Sequence, residues 1–202
     1  MRIGVLSLQG DISEHLQMLA RIGVTAVGVT SPMDLQHIDG LIIPGGESTT
    51  ISMLAESSGL FEPMVNMIHD GMPVFGTCAG AVLLARHILD GRLDQRSCEA
   101  MDIVVRRNGF GRQIASFEAD LDISAIDKGG APLRAIFIRA PIIESVGPEV
   151  QVIATYQDSA LVGSTPVLVK QGAMLASSFH PELSNDTRLH QFFVEMVKEG
   201  SS

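Results

Sequence analysis

The sequence predicts an α/β fold: one domain built on a mostly parallel sheet flanked by helices, with an antiparallel extension in its second half. Three observations carry this. Short apolar runs alternate with amphipathic, helix-length segments through the first half, the signature of strands joined by crossover helices. After residue 100 the runs become short, strand-like and separated by turn residues. The chain has 202 residues, of which 46% are hydrophobic and 18% charged, which suits one buried core and not a disordered tail.

Taken in order, residues 3–8 form the first strand, and Asp11 or Ser13 stands where it can cap a helix. That helix carries Leu16, Leu19, Ala20 and Ile22 on one face before Gly23 stops it. Residues 25–29 are a second strand. Residues 41–43 are a third, broken by Pro44-Gly45-Gly46, and 60–68 read as a helix ending near Gly71. Val74-Phe75 begins a fourth strand, and 81–85 continue as a helix. Strand-like runs follow at 103–105, 115–119, 135–138, 152–155, 167–169 and 174–179. A last helix over 187–197 closes a domain expected to span 1–198, with 199–202 as a short polar tail.

Charge and composition exclude several functions. Lys and Arg total 14 against 23 Asp and Glu, a net charge of −9 that repels a phosphate backbone, and no local basic stripe offsets it; no nucleic acid partner is expected. The longest uncharged apolar stretch, 73–85, falls short of the roughly 20 residues that span a bilayer, so no membrane is expected. The N-terminus lacks the basic region and cleavage site of a leader, which reads as a mature cytoplasmic protein. Two cysteines without paired spacing argue against a disulfide framework or a zinc knuckle. The histidines other than His180 show no ligand spacing, so no metal site is expected, and no cofactor is expected either.

Gly76-Thr77-Cys78-Ala79-Gly80 has the form of a nucleophile elbow, placed after a buried strand and before a helix. A sharp strand-to-helix turn needs small neighbours on both sides of the nucleophile, and the helix N-terminus behind it favours a thiolate. A lone cysteine is more often a packed core thiol, and Cys98, with no elbow, is read that way. For Cys78 the flanking glycines reverse the odds. A thiolate nucleophile needs a base and the base an orienting acceptor. In Ser178-Phe179-His180-Pro181-Glu182 the proline favours an extended His180, and residues two apart on an extended segment share a face, so Glu182 can reach the imidazole. The glycines of Pro44-Gly45-Gly46-Glu47-Ser48-Thr49-Thr50 leave backbone N–H groups free; Gly45, Gly46 and the N–H of Ala79 are candidate oxyanion-hole donors. A rival reading of that loop is a phosphate cradle at a helix N-terminus, and the missing Walker lysine ranks it second.

Together these residues resemble the class I, triad-type glutamine amidotransferases. Six segments in order narrow the resemblance to the glutaminase subunits of pyridoxal 5'-phosphate synthase: residues 4–10 with Glu14-His15; Gly45 to Thr50; Gly76 to Gly80; Arg107-Asn108 with Phe110 to Gln113; Phe137 to Pro141; and Ser178 to Leu183. The resemblance runs from residue 4 to 183. It implies hydrolysis of L-glutamine to glutamate, with the ammonia passed to a separate synthase subunit in a large hetero-oligomer. By position it makes Cys78 the nucleophile, His180 the base and acid, and Glu182 the orienting group. Gly46, Glu47, Ser48, Arg107, Ile138 and Arg139 correspond to glutamine contacts, and a guanidinium suits an α-carboxylate. Gln9, Gly10 and His15 are placed at the partner face. Gly109 departs from the pattern, where serine or alanine is expected. The alternatives are the glutaminase of another amidotransferase, a γ-glutamyl hydrolase, or a catalytically silent regulatory module on the same fold.

Overall fold

A computed structural model describes residues 1–92, 94–107, 109, 116–157 and 163–200. Of the sequence expectations, Asn108, the 110–113 segment, the start of the 115–119 strand and the last two tail residues lie outside these.

Strands β1 (Arg2–Leu6), β2 (Thr25–Val29), β3 (Gly40–Ile43) and β4 (Val74–Thr77) alternate with α1 (Ile12–Arg21), α2 (Pro32–Leu35), α3 (Ser48–Ser57) and α4 (Phe61–His69). Then come α5 (Ala79–Leu84), β5 (Ala85–Ile88), β6 (Met101–Arg106), β7 (Ser116–Leu121), β8 (Leu133–Ile138), β9 (Ile142–Val146), β10 (Gln151–Gln157), β11 (Ser164–Gln171), β12 (Met174–Ser177) and α6 (Arg188–Gly200). The main sheet has seven strands in the order β10-β11-β12-β4-β3-β1-β2. From β2 to β12 neighbours run parallel, while β11 and β10 extend the sheet antiparallel. The expected architecture is therefore observed. Smaller sheets, β5-β6-β9 and β7-β8, lie outside it.

The central strands read as unbroken apolar runs because both faces are covered. Leu41, Ile43, Val74 and Ala176 join a core with Phe61, Met64 and Leu83 from the helices on one side. Ile42, Phe75 and Leu175, one residue out of phase, join Leu19, Phe137, Phe193 and Val197 on the other.

Several local expectations change. Helix α1 buries His15, Met18 and Leu19, while Ala20 is exposed, so its inner face is rotated from the predicted one. Residues 48–50 belong to a helix and not to a loop. The helix after the elbow is only six residues long, and Ala85 already begins β5. Strand β9 was not expected, and α6 continues to Gly200, past the expected end of the domain at 198. Gly109 has a packing reason: a Cβ there would sit 2.6 Å from Ile142 Cγ1, so the space a serine or alanine would use is filled.

Candidate active site

The carboxyl ends of β1, β3, β4 and β12 meet at one rim of the sheet, where open α/β sheets bind ligands. The pairing of β12 with β4 sets Ser177 beside Thr77, and Cys78 N–H donates to the Ser177 carbonyl at 2.8 Å. The chain leaving β12 therefore delivers His180 to the cleft that Cys78 enters from β4.

Cys78 is the residue before α5 and holds φ 48° and ψ −101°. For a non-glycine residue this conformation stores on the order of 1–3 kcal/mol and needs close support on both sides. The elbow glycines supply it. A Cβ at Gly76 would lie 2.6 Å from the Gly80 carbonyl, and one at Gly80 would lie 2.1 Å from the Ile43 carbonyl oxygen. Any larger residue would push the turn off β3. Cys78 is buried, its Sγ 4.0 Å from the Ile138 carbonyl oxygen.

His180 is 4% exposed and its Nδ1 lies 2.8 Å from Glu182 Oε1. The contact is the expected one, but its origin differs. Residues Pro181–Leu183 form a single 3-10 turn, with His180 just before it, so the turn and not an extended strand swings Glu182 back onto the ring. Asp11 Oδ2 is a second acceptor on the same nitrogen, at 3.2 Å. Asp11 precedes α1 yet makes no capping hydrogen bond with its side chain; the sequence suggested a cap and gave no sign of this contact. Burial opposes a charged imidazole, but hydrogen bonds to Asp11, Cys78 and Glu182 outweigh it and push His180 up to about 12. Burial pushes the Glu182 carboxyl up while its hydrogen bond from His180 pulls it down. With two carboxylates on one N–H, the proton belongs to the ring. Among the described residues, Asp11, His180 and Glu182 are the one grouping of metal-ligating types, and they converge on that N–H, which fits a ring proton and not a cation.

Opposite, Glu47 caps α3. Its carboxylate accepts from Thr49 N–H at 3.3 Å, from Thr50 N–H at 2.7 Å and from the Thr50 hydroxyl at 2.8 Å. Burial raises the Glu47 carboxyl, but these bonds and the Arg107 charge hold it below the usual range. The helix N-terminus is thus already occupied by the chain's own anion, which argues against the phosphate cradle. Arg107 donates to Glu47 at 2.7 Å, to Thr49 Oγ1 at 3.0 Å and to Gln95 Oε1 at 2.8 Å. Gln95, which also donates to Ser48 Oγ at 3.0 Å, is a member that sequence reading missed. Gln9 accepts the Glu47 N–H at 2.8 Å and ties β1 to this loop.

A cavity of about 290 Å³ joins these groups. Gln9, Gly46, Glu47, Ser48, Cys78, Ala79, Arg107, Ile138, Arg139 and His180 line it. Asp11, Val82 and Pro141 line it too. Gly45 lies behind it: a Cβ there would come 2.4 Å from His180 Cε1, so only glycine lets the imidazole approach. Gly10 packs on the Gly45 carbonyl, and Asp11 N–H donates to that oxygen at 3.2 Å. His15, expected with Gln9 and Gly10 at the partner face, is fully buried in the chain by itself. Among the described residues no helix is long and apolar enough to cross a membrane.

His190, also fully buried, has a depressed imidazole value of about 4 because burial disfavours its charge. The unfolded chain then binds a proton below 6.5 that the folded chain refuses, so stability is intact above 6.5 and lost as pH falls toward 4. Urea unfolding at pH 7 and pH 4.5 is expected to show a drop to which His190 contributes up to about 3 kcal/mol. In His190→Gln that drop shrinks; an unchanged drop would count against the assignment.

Residues 5–199 match the SNO glutamine amidotransferase family. The chain is similar to pyridoxal 5'-phosphate synthase subunit PdxT of Corynebacterium jeikeium (strain K411), 52% identical over 199 residues that cover 98% of each chain. It is similar also to PdxT of Roseiflexus sp. (strain RS-1), 50% identical over 196 residues that cover 97% of this chain and 100% of that one. A crystal structure of a glutamine amidotransferase shares 42% identity and a TM-score of 0.86, covering 97% of this chain and 98% of the other. On a match that spans nearly the whole sequence and the whole fold, the chain belongs to the SNO glutamine amidotransferase family.

Proposed function

We propose that this chain hydrolyses L-glutamine to L-glutamate and ammonia through Cys78, His180 and Glu182. In this reading it passes the ammonia to a synthase subunit that makes pyridoxal 5'-phosphate. The observation that carries the reading is a strained elbow cysteine sharing a cleft with an imidazole whose far nitrogen is held by a carboxylate. The relatives' identity as synthase subunits supports the choice of pathway.

In this mechanism Cys78 Sγ, as thiolate, attacks the side-chain amide carbon of glutamine, and the carbonyl π electrons move onto oxygen. N–H groups of Gly46 and Ala79 stabilise that oxyanion. His180 then gives its proton to the departing nitrogen, ammonia leaves and a thioester remains. Water, deprotonated by His180, attacks the thioester; glutamate leaves and Cys78 is regenerated. Glu47 and Arg107, fixed side by side by Thr49, Thr50 and Gln95, offer counterparts to the charged α-groups of the substrate. The two free thiols suit a reducing, cytoplasmic setting.

Released without an acceptor, the ammonia is wasted, which favours a site completed by the partner. Glutamate release is expected to be slow for the chain alone and to rise roughly 10²- to 10³-fold with the synthase subunit, the scale of one oxyanion donor. Gln9→Ala, which loosens the Glu47 N–H, is expected to blunt that rise. Full activity without the partner, or preference for γ-glutamyl peptides over free glutamine, would favour a free-standing hydrolase.

A further inference from the structure

A cluster of buried polar side chains behind the triad has no part in the reaction as written. His15 from α1 and His190 from α6, 175 residues apart in sequence, place Nδ1 and Nε2 3.0 Å from each other. His15 Nε2 lies 3.2 Å from Thr77 Oγ1 and 3.5 Å from Glu182 Oε2, the carboxylate oxygen that His180 does not use. Among the described residues, Glu182 Oε2 and His190 Nδ1 are buried with no hydrogen-bond partner.

Two proton arrangements are open to this pair. In the first, His190 Nε2–H donates to His15 Nδ1, and His15 Nε2–H faces Thr77 and Glu182; the unpartnered His190 Nδ1 is then a bare lone pair. In the second, His15 Nδ1–H donates to His190 Nε2. That leaves His190 Nδ1–H buried without an acceptor and turns the His15 Nε2 lone pair toward a carboxylate oxygen. The Thr77 hydroxyl can serve His15 Nε2 as acceptor in the first arrangement or donor in the second, so the difference lies at His190, where a buried N–H without an acceptor costs more than a lone pair without a donor, and the first arrangement wins. Both rings are neutral, since burial lowers His15 well below the ordinary imidazole value and His190 likewise, and the neighbouring histidines lower His15 further.

We infer that His15 is a positioning residue for the triad: its Nε2–H, fixed in that tautomer by His190, faces Glu182 Oε2 across 3.5 Å and stabilises that oxygen through its N–H dipole, without a formed hydrogen bond, so that Oε1 stays on His180. This rests on the glutaminase reading above. The titratable groups facing Glu182 are His180 from its own segment and His15 and Asp11 from the α1 region; His190 from α6 and His180 face His15. Removing the His15 donor leaves the Glu182 carboxylate less stabilised, so the carboxyl titrates at higher pH and its hold on the imidazolium weakens. The pH range of activity then narrows from both ends.

The test uses the complex of the chain with its synthase subunit. In His15→Leu, kcat is expected to fall about tenfold with KM for glutamine within about twofold, and the acid limb of kcat/KM to move up by about one pH unit. His15→Gln, whose amide N–H reaches the same place, is expected to restore most of both. Equal losses in the two variants without a pH shift would mean a structural role and overturn the proposal. Imidazole 15N shifts of the free wild-type chain decide it independently of activity: His15 and His190 both protonated on Nε2 support it, and His15 protonated on Nδ1 overturns it. Failure of the wild-type complex to hydrolyse glutamine would sink the glutaminase reading instead, while the tautomer result would still report on the geometry.

Discussion

Cys78→Ala is expected to abolish glutamate release from glutamine, a loss of roughly 10⁴-fold or more, while glutamine still binds. No other described thiol can substitute. Cys98 is buried, and burial pushes its thiol up to about 12, so it carries no thiolate near neutrality. Alanine keeps the Cβ and the elbow backbone, so the turn at φ 48° is no more strained than before, and the glycines at 76 and 80 still let it pack on β3. Binding by calorimetry and turnover by glutamate release, both on the complex, separate a lost nucleophile from a lost fold. Measurable turnover by this variant would remove Cys78 from the mechanism. Cys98→Ala is the control, with unchanged kcat and a stability cost of about 1 kcal/mol from the emptied sulfur site.

Glu182→Gln carries the second large effect. The neutral amide no longer stabilises the imidazolium, and turnover is expected to fall roughly 10³- to 10⁴-fold with little change in glutamine binding. Asp11 makes the outcome informative. Its carboxylate lies 3.2 Å from the same His180 nitrogen, against 2.8 Å for Glu182, so a residual rate in Glu182→Gln would flow through Asp11. Combining Glu182→Gln with Asp11→Asn then removes both acceptors, and the pair is expected to cost more than the sum of the single losses. A Glu182→Gln enzyme with wild-type kcat, whose rate also survives Asp11→Asn, would refute the orienting role of both carboxylates.

The sequence by itself determined the elements whose chemistry is local. The glycines around Cys78, the proline after His180 and the alternation of strands and helices each report a constraint within a few residues, and each is met in the fold. Sequence also placed Glu182 beside His180, though for a wrong local reason, since a 3-10 turn and not an extended run brings them together. What only the tertiary structure decided is the set of long-range meetings. The parallel pairing of β12 with β4 carries His180 to Cys78 across a gap of about a hundred residues, and no periodicity in either strand specifies its neighbour. Asp11 reads as a helix cap until β3 and β12 bring Gly45 and His180 against it. The resemblance places His15 at the partner face, and nothing local shows that it is buried; it is buried because α1 and α6 pack on the same face of the sheet and press it against His190. A polar side chain's role depends on which partner desolvates it. That partner is chosen by the packing of whole layers, which the local sequence does not encode.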